Sequence, residues 1–499
     1  MLLLFWSVAC ASGILADDEA CAAQVISPVP GSPAAYVDPF IGASTNMDRA
    51  GTYHGLGKTF PGAATPFGMV QVSPNTVTGG DNGSGYSHEH TTIEGFALTQ
   101  MSGVGWYGDL GNFLIMATLG KFHPVAGRDD GRIAGYRSHY DKGSETAHPG
   151  YYRVRLTDYD ITVETSATPR CGFLRFTFPE SDSARIQVDL ARRVGGTSTR
   201  QYVKVINDST LAGWMHCTPD GGGWGDGAGK VEYAYADGCV SRLALALGND
   251  SLASEFECRS QAYRNVFDPN VGWFRKADGT WEPWNTDASP LTREGYGCIE
   301  SNLYQQGWFV PHDPEGMARL MGGRSVAVAA LDTLFSKTPS DMKWNAYYNH
   351  ANEPVHFVPY IYNRLGAPWL TQLHTRDICR SAYGVGVEGL VGNEDVGQMS
   401  AWYVLSASGI HPSCPGESRL EITSPVFDEV EYSLDGRYHR GGKFRIVAHD
   451  NSPENIYIDH ALLNGRPYEK CNIDFSEISA GGVLELFMSP TPGLHWGTD

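Results

Sequence analysis

The spacing of apolar residues changes twice along the chain. From about residue 36 to 265, short stretches alternate apolar and polar positions, as in residues 173–178 and 185–190. Such alternation is typical of half-buried strands. Because glycine-rich turns separate these stretches, we predict that the N-terminal half forms a β-sandwich.

Between about residues 310 and 410, apolar residues recur at three and four positions, which indicates helices. One helical region is marked by these residues: Met317, Leu320, Met321, Val328, Leu331, Leu334 and Phe335. Proline favours the first helical turn and glycine favours the position after the last. They predict helices from Pro354 to Gly366 and from Pro368 to near Gly384, and a further helix runs from Met399 to Ser408 before Gly409.

Beyond residue 420 the alternation returns, in residues 443–448 and 455–459, and Asn464-Gly465 predicts a tight turn. These patterns therefore predict a multidomain β plus α protein that ends in a small C-terminal β-unit. The expected boundaries are 1–16 for a signal peptide, 17–265 for the sandwich, 266–421 for the helical domain and 422–499 for the terminal β-unit.

The composition is that of a folded globular protein. The chain has 499 residues, 19% of them charged and 41% hydrophobic, enough for two or three domains. Its formal net charge of −19, without a cluster of Lys and Arg, argues against a nucleic-acid partner.

The first 16 residues form an apolar run ended by small residues, as in a secretory signal peptide. No later stretch is apolar enough to span a membrane, so we expect a soluble, secreted protein without a membrane partner. Of ten cysteines, nine would remain after cleavage. Some should pair in an oxidising compartment, and the odd number leaves at least one thiol free. Sequons at Asn82, Asn207 and Asn249 fit the same route.

Several familiar motifs are excluded. Gly103, Gly105 and Gly108 match the dinucleotide fingerprint, but the required strand and helix do not flank them. Nucleophile elbows and the HExxH zinc motif are absent. His88 and His90 flank Glu89 and could suggest a metal, although a hydrogen-bonded surface pair explains them more simply.

Two carboxylates have neighbours that suit acid and base chemistry. Glu300 lies among Tyr296, Tyr304 and Trp308 in the sequence, and such crowding would raise its pKa by desolvation, as an acid needs. Asp395 precedes a helix start, whose positive end would keep it ionised, as a general base needs.

A third polar segment runs from His350 to His356 and contains Asn352 and Glu353 before Pro354. These residues could belong to a ligand site. They could equally cap the helix that Pro354 begins, because Asn and Glu satisfy exposed amides there. The residues alone leave both readings open.

Taken together, these segments resemble the secreted exo-acting α-mannosidases of glycoside hydrolase family 92. The resemblance rests on many motifs in the family's order. They are residues 37–42, 59–63, 66–71, 93–96, 102–111, 267–275, 308–313, 352–356 and 393–402.

The resemblance implies a β-sandwich followed by an (α/α)6-type helical barrel, with an active site that binds Ca²⁺. By similarity, Glu300 is the catalytic acid and Asp395 is the base that activates water. Asn393 stands where relatives often carry a second acidic residue. Near the sugar and the ion the resemblance places Asn352, Glu353 and Gln398, which are also the candidate metal ligands. The remaining substrate-binding candidates are His356, Trp106 and Asp109.

This chain departs from the family pattern at one long segment. Relatives carry a helical stretch with a Ser-Leu-Trp-Asp-Thr motif between the sandwich and the Phe-Asp-Pro region, whereas here residues 262–266 lead directly into Phe267. Twelve helices with their connectors need roughly 190 residues, and about 155 are available between Phe267 and residue 421. We therefore expect an incomplete barrel.

Two functions follow as alternatives. The first is an exo-α-mannosidase that removes terminal mannose from glycoprotein N-glycans or mannan, and Glu300 and Asp395 favour it. The second is a catalytically impaired carbohydrate-binding homologue, or the product of a truncated gene, which the missing helical segment favours. Both bind mannose-containing glycans. The His-Glu pair associated with α-1,2 linkage is not found, so the linkage is open.

Overall fold

The structure is a computed structural model that describes residues 4–7, 28–46, 48, 56–76, 82–103, 110–194, 198–217, 229–275 and 301–498. By internal packing the chain divides into two compact units. The first contains residues 1–223 and 385–397, and the second contains residues 224–384 and 398–499.

The first unit is built from strands. They are β1 (Leu4–Ser7), β2 (Ala63–Ala64), β3 (Gln71–Asn75), β4 (Thr92–Ile93), β5 (Gly95–Ala97), β6 (Leu114–Thr118), β7 (Ser138–His148), β8 (Tyr151–Leu156), β9 (Ile161–Ala167), β10 (Gly172–Thr177), β11 (Arg185–Asp189), β12 (Ser198–Asn207) and β13 (Thr210–Cys217). A short 3₁₀ helix, Pro33–Tyr36, precedes β2. β10 and β11 match the two alternating stretches used for the prediction.

Two five-stranded sheets form the body of this unit. Their strand orders are β10-β9-β8-β7-β4 and β11-β6-β5-β3-β2. One hydrophobic core contains side chains from both sheets, including Ile93, Phe96, Met116 and Tyr152. The sheets therefore pack as a β-sandwich, as predicted. A third sheet joins β1, β13 and β12, and β1 lies in the predicted signal peptide.

Glu94 lies where the chain passes from one sheet to the other, between β4 and β5. Its side chain is fully buried and accepts from Arg137 Nη2 at 2.9 Å and from Arg192 Nη2 at 2.7 Å. Arg137 precedes β7 and Arg192 follows β11, so the carboxylate links residues beside both sheets. Removing one partner of a buried ion pair costs about 3–5 kcal/mol.

The second unit contains helices and a terminal β-unit. The helices are α1 (Gly229–Ala246), α2 (Asp250–Ser260), α3 (Leu303–Gln306), α4 (Pro314–Met321), α5 (Arg324–Ser336), α6 (Ile361–Arg364), α7 (Pro368–Ser381), α8 (Gln398–Ser408) and α9 (Phe475–Ser479). Three 3₁₀ helices are Gln261–Val266, Glu353–Val355 and Val358–Tyr360. Of these helices, α7 and α8 agree with the predicted ones.

The remaining helical predictions need correction. The single region predicted across 317–335 is two helices, because Gly322 and Gly323 adopt φ of +108° and +120° and end α4. The helix expected from Pro354 to Gly366 is instead two 3₁₀ turns and α6. We did not predict α1 and α2, which lie inside the range that we assigned to strands.

Between residues 229 and 408, the described ranges contain eight α-helices, fewer than the twelve of a closed (α/α)6 barrel. The described residues thus form a sandwich and, after it in the chain, a helical domain. No helix in these ranges has the length and apolar character needed to cross a bilayer.

The terminal β-unit has its own hydrophobic core, which includes Ile422, Phe444, Ile446, Leu484 and Leu486. Its strands and those of a preceding hairpin are β14 (Phe267–Asp268), β15 (Trp273–Phe274), β16 (Ile410–His411), β17 (Arg419–Ile422), β18 (Glu429–Ser433), β19 (Lys443–His449), β20 (Tyr457–Leu463), β21 (Arg466–Pro467), β22 (Asn472–Asp474) and β23 (Gly482–Ser489). Asn464 and Gly465, with φ of +52° and +74°, form the predicted turn between β20 and β21.

Candidate active site

The loop that carries Asp395 has an unusual backbone. Asp395, Val396 and Gly397 have consecutive positive φ angles of +43°, +59° and +98°. A β-branched residue rarely adopts this conformation, because its side chain crowds the backbone. Such strain persists only where the surroundings hold the loop, and it is concentrated at functional sites.

Backbone contacts within the first unit hold this loop. The amide of Glu394 donates to Gly57 O at 2.9 Å, and the amide of Val396 donates to Ser102 O at 2.9 Å. A β-carbon on Gly103 would lie 2.3 Å from the Glu394 β-carbon and 2.4 Å from Asp395 N. Only glycine therefore fits at position 103, which also has φ of +76°.

The segment leading to this loop runs beside the start of the sandwich. Gly42 N donates to Gly386 O at 3.2 Å, and Ser44 N donates to Val387 O at 2.9 Å. A β-carbon on Gly42 would clash with Leu390 Cδ1 at 2.6 Å. The motif at 37–42 thus lies beside residues 386–390, which lead into the loop, and the motif at 102–103 contacts the loop itself.

In the second unit, His356 and Gln398 form a polar pair. His356 Nε2 lies 3.0 Å from His350 O, so this nitrogen carries the proton. Burial lowers the pKa of His356 to about 4, so the imidazole is neutral and Nδ1 is an acceptor. Gln398 Nε2 lies 3.3 Å from Nδ1 and must be the donor. The amide oxygen of Gln398 therefore points away from the histidine.

His350 belongs to a hydrogen-bonded chain behind this pair. Tyr383 donates to Met399 O at 2.9 Å and so accepts from His350 Nε2 at 2.7 Å. His350 Nδ1 then accepts from Tyr348 at 2.8 Å. Burial lowers the pKa of His350 well below its ordinary value. We assigned no role to His350 from the sequence, although it begins the polar segment around Asn352.

Asn352 and Glu353 lie one turn before His356. Glu353–Val355 is a 3₁₀ helix, and the amide of His356 donates to Glu353 O at 2.9 Å. Asn352 is buried and Glu353 is half-buried, and the Asn352 side chain makes no capping bond. The structure thus brings Asn352, Glu353, His356 and Gln398 into one region of the second unit. The capping alternative for Asn352 does not hold.

Glu300, Trp106 and Asp109 lie outside the described residues. The residue after Glu300, Ser301, is buried, and Asn302 forms a capping box with Gln305 at the start of α3. Gln305 Nε2 donates to Asn345 O and Tyr347 O at 2.9 and 2.8 Å. The chain that follows Glu300 is therefore anchored to the chain that precedes His350.

Of the three aromatic residues predicted to surround Glu300, Tyr296 also lies outside the described residues. Tyr304 and Trp308 are buried, and both rings contact Trp273, with centroid separations of 6.4 and 5.0 Å. We did not select Trp273 from the sequence, although it belongs to the motif at 267–275.

In the His88-Glu89-His90 stretch, the side chains of Glu89 and His90 form hydrogen bonds with nearby protein groups. Glu89 accepts from Ser87 Oγ at 2.6 Å and from Thr45 N at 3.1 Å, and His90 Nδ1 lies 2.8 Å from Thr76 Oγ1. In the part of the chain that is described, no three His, Cys, Asp or Glu side chains form a group that could hold a metal ion.

Comparisons with known proteins agree with the motifs. The family model described as "Glycosyl hydrolase family 92 N-terminal domain" matches residues 36–237. The family model described as "Glycosyl hydrolase family 92 catalytic domain" matches residues 187–490. A curated relative, an "Uncharacterized secreted glycosidase" from Arthroderma benhamiae, is 31% identical over 291 residues. The match covers 54% of this chain but 36% of the relative, so the chain spans about a third of that protein.

Solved structures share the fold. The family GH92 α-mannosidase BT3965 from Bacteroides thetaiotaomicron has a TM-score of 0.77 at 20% identity, covering 93% of this chain and 95% of that chain. The inverting mannosidase BT2199 from the same bacterium has a TM-score of 0.71 at 20% identity, covering 93% and 98%. The predicted family and fold are confirmed: the chain belongs to glycosyl hydrolase family 92.

Proposed function

We propose that this protein is a secreted exo-α-mannosidase that hydrolyses terminal α-mannosidic bonds with inversion. The observation that carries the proposal is the strained loop at Asp395, which Gly57, Ser102 and Gly103 hold in a chain of a glycoside hydrolase family. A carboxylate on a rigidly held backbone suits a group that must orient a water molecule.

Asp395 is the proposed general base, and Glu300 is the proposed acid. Inversion requires one carboxylic acid to protonate the leaving oxygen while the other carboxylate removes a proton from water on the opposite face of the sugar. The two carboxyl groups must then lie about 6.5–9.5 Å apart. Asp395 is half-buried, and the first residue of α8 follows it three positions later in the chain.

Asn352, Glu353 and Gln398 are the proposed Ca²⁺ ligands. All three side chains offer oxygen atoms, which Ca²⁺ prefers as ligands. The hydrogen bond from Gln398 to His356 turns the amide oxygen of Gln398 away from the histidine. When bound, Ca²⁺ would hold the 2- and 3-hydroxyls of mannose and favour a distorted ring. The residues present therefore fit the ion that the family resemblance implies.

The remaining substrate contacts are assigned to Asn393, Trp106 and Asp109, because both ring nitrogens of His356 already have protein partners. Asn393 Oδ1 is buried and has no hydrogen-bond partner among the described residues. A buried acceptor without a partner is costly, so a sugar hydroxyl or a water molecule would satisfy it. His356, being neutral, positions Gln398 rather than exchanging a proton with the substrate.

The substrate class follows from the relatives. BT3965, which is an α-mannosidase, has also been solved in complex with mannoimidazole. We therefore propose terminal mannose of N-glycans or mannan as the substrate.

Secretion is supported by the apolar N-terminal run and by the secreted glycosidase of Arthroderma benhamiae. Of the three sequons, Asn207 and Asn249 are exposed, whereas Asn82 is buried. Glycosylation is thus proposed at the first two positions only.

The second candidate is a carbohydrate-binding homologue that has lost activity, or the product of a truncated gene. The observation that favours it is the small number of helices described between residues 229 and 408. To separate the two, the purified chain is incubated with α-1,2-, α-1,3- and α-1,6-mannobiose, with and without a chelator. Release of mannose that depends on Ca²⁺ and is lost in Glu300→Gln supports hydrolysis. Binding without release supports the second candidate, and release that Glu300→Gln does not reduce contradicts the acid assignment.

A further inference from the structure

Cys239 and Cys414 share one guanidinium group in the second unit. Arg242 Nη2 lies 3.5 Å from Cys239 Sγ and 3.6 Å from Cys414 Sγ. The two sulfur atoms are therefore at most about 7 Å apart. A disulfide needs Sγ atoms about 2.05 Å apart. Rotation of the two side chains on a nearly fixed backbone would close this gap. The residues are 175 positions apart in the chain, so their proximity is a product of the fold.

The backbone after Cys414 packs directly on Cys239. Cys239 Sγ donates to Pro415 O at 3.5 Å, and a β-carbon built on Gly416 would lie 3.1 Å from the same sulfur and 3.8 Å from the Cys239 β-carbon. Tyr235, one turn earlier on α1, donates to Pro415 O at 2.6 Å. The loop from Cys414 to Gly416 is thus held against the face of α1 that carries Cys239.

We propose that Cys239 and Cys414 form a disulfide bond that joins α1 to the loop before β17 in the secreted protein. This inference rests on the proposed secretion, because an oxidising compartment is what makes such a bond persist. The structure shows both residues as thiols. Of the other described cysteines, Cys171 and Cys258 are exposed, Cys217 is half-buried, and Cys379 and Cys471 are buried. The described hydrogen bonds place none of these five beside another sulfur atom.

The two thiols differ in access, which sets the order of the reaction. Cys414 is fully buried, and burial raises the pKa of its thiol to about 12, whereas Cys239 is partly exposed. The Cys239 thiolate therefore attacks glutathione disulfide first, forming a mixed disulfide and releasing one glutathione. The Cys414 sulfur then attacks the Cys239 sulfur and releases the second glutathione. The two thiol protons leave with the two glutathione molecules, and the glutathione disulfide is reduced.

Trypsin separates the two cysteines cleanly, which allows a direct test. Cleavage after Lys230 and Arg242 gives residues 231–242 with Cys239 alone, and cleavage after Arg380 and Arg419 gives residues 381–419 with Cys414 alone. The purified full chain is equilibrated in a glutathione redox buffer, alkylated, digested without reduction and analysed by mass spectrometry. We expect one species with the summed mass of the two peptides less two hydrogen atoms, which reduction converts to the separate peptides.

Matched variants complete the test. Cys239→Ser and Cys414→Ser should each abolish the linked species, and Cys258→Ser, on the neighbouring α2, should retain it. Reduction should lower the unfolding midpoint of the wild type by roughly 5–10 °C and leave that of Cys239→Ser unchanged. Recovery of both peptides as alkylated thiols, or linkage of Cys239 to another cysteine, would overturn the proposal. Because the experiment uses no sugar, the presence or absence of the linked peptides does not depend on mannosidase activity.

Discussion

Gly103 lies so close to Glu394 that a β-carbon at position 103 would be 2.3 Å from the Glu394 β-carbon. Real β-carbons do not approach other atoms this closely, so any side chain at Gly103 must displace the loop that carries Asp395. The geometry of the proposed base is thus set by a glycine about 290 positions earlier in the chain.

The first prediction concerns this contact. Gly103→Ala should lower kcat/KM by about tenfold or more, because a displacement near 1 Å at the reacting groups is sufficient for such a loss. Gly120→Ala is the matched control, since Gly120 has φ of +72° and no atom within 4 Å of a built β-carbon. Both variants introduce about 1–2 kcal/mol of backbone strain, so the midpoint temperature of thermal unfolding should fall in both. The activity should fall only in Gly103→Ala. Equal activities would show that the contact does not position the loop.

The second prediction concerns the base itself. Asp395→Asn should reduce kcat by about 10²- to 10⁴-fold, the range that general base catalysis contributes. Asn tolerates a positive φ, so the fold should persist. Asp160→Asn is the control, because Asp160 is an exposed aspartate with φ of +54° in the same unit. Steady-state kinetics on an activated α-mannoside measures both, and similar losses in the two variants would remove Asp395 from the mechanism.

Removal of Ca²⁺ is the third test. A chelator should abolish hydrolysis, and added Ca²⁺ should restore it. Gln398→Leu, which lacks the outward amide oxygen, should raise the calorimetric dissociation constant for Ca²⁺ by about tenfold or more. Gln201→Leu on exposed β12 serves as the control. Unaltered Ca²⁺ binding in Gln398→Leu would exclude Gln398 as a ligand.

The fourth prediction is a pH dependence of stability. Burial lowers the pKa of His374 on α7 to about 4, below the ordinary value of about 6.5. Between pH about 4 and about 6.5, His374 therefore binds a proton in the unfolded chain but not in the folded chain. The free energy of unfolding thus keeps the full contribution of this group above pH about 6.5 and decreases as the pH falls towards 4. One such group contributes a slope of about 1.4 kcal/mol per pH unit.

His374→Phe should reduce that slope by one proton's contribution. The phenyl ring can keep the stacking on Phe335, whose centroid is 3.9 Å away, and on Tyr362 at 5.4 Å. Urea unfolding between pH 4 and 7 measures the slope. A variant with the slope of the wild type would show that His374 is not the group that titrates. His411, with a pKa that burial lowers to about 3, should keep the remaining slope above zero.

Strong local patterns made the strands and two helices predictable. Alternation identified β10, β11 and β19, and proline with glycine identified α7. By contrast, α1 has apolar residues on both sides, since Ala234 and Ala244 are buried while Leu243 and Leu245 are exposed. The helical period is therefore hidden, and neither composition nor spacing could reveal this helix.

The site was predictable in part for the same kind of reason. Motifs identified Asp395 and the segment from Asn352 to His356 as candidates, and the structure shows how each is held. The left-handed backbone at Asp395 and Val396 could not be predicted, because valine seldom adopts it. The contact with Gly103 depends on tertiary packing. The roles of all the candidate site residues stay predictions, including those of Glu300, Trp106 and Asp109, which lie outside the described residues.

Hydrolysis of α-mannosides with inversion is the proposed activity of this chain. A ¹H NMR time course on an α-mannobiose, with the purified full chain and Ca²⁺, tests it directly. We expect β-mannose to appear first and then to equilibrate with the α anomer, and we expect Asp395→Asn to release neither. Initial release of α-mannose, or no release from any linkage by a folded and Ca²⁺-loaded protein, would contradict this proposal.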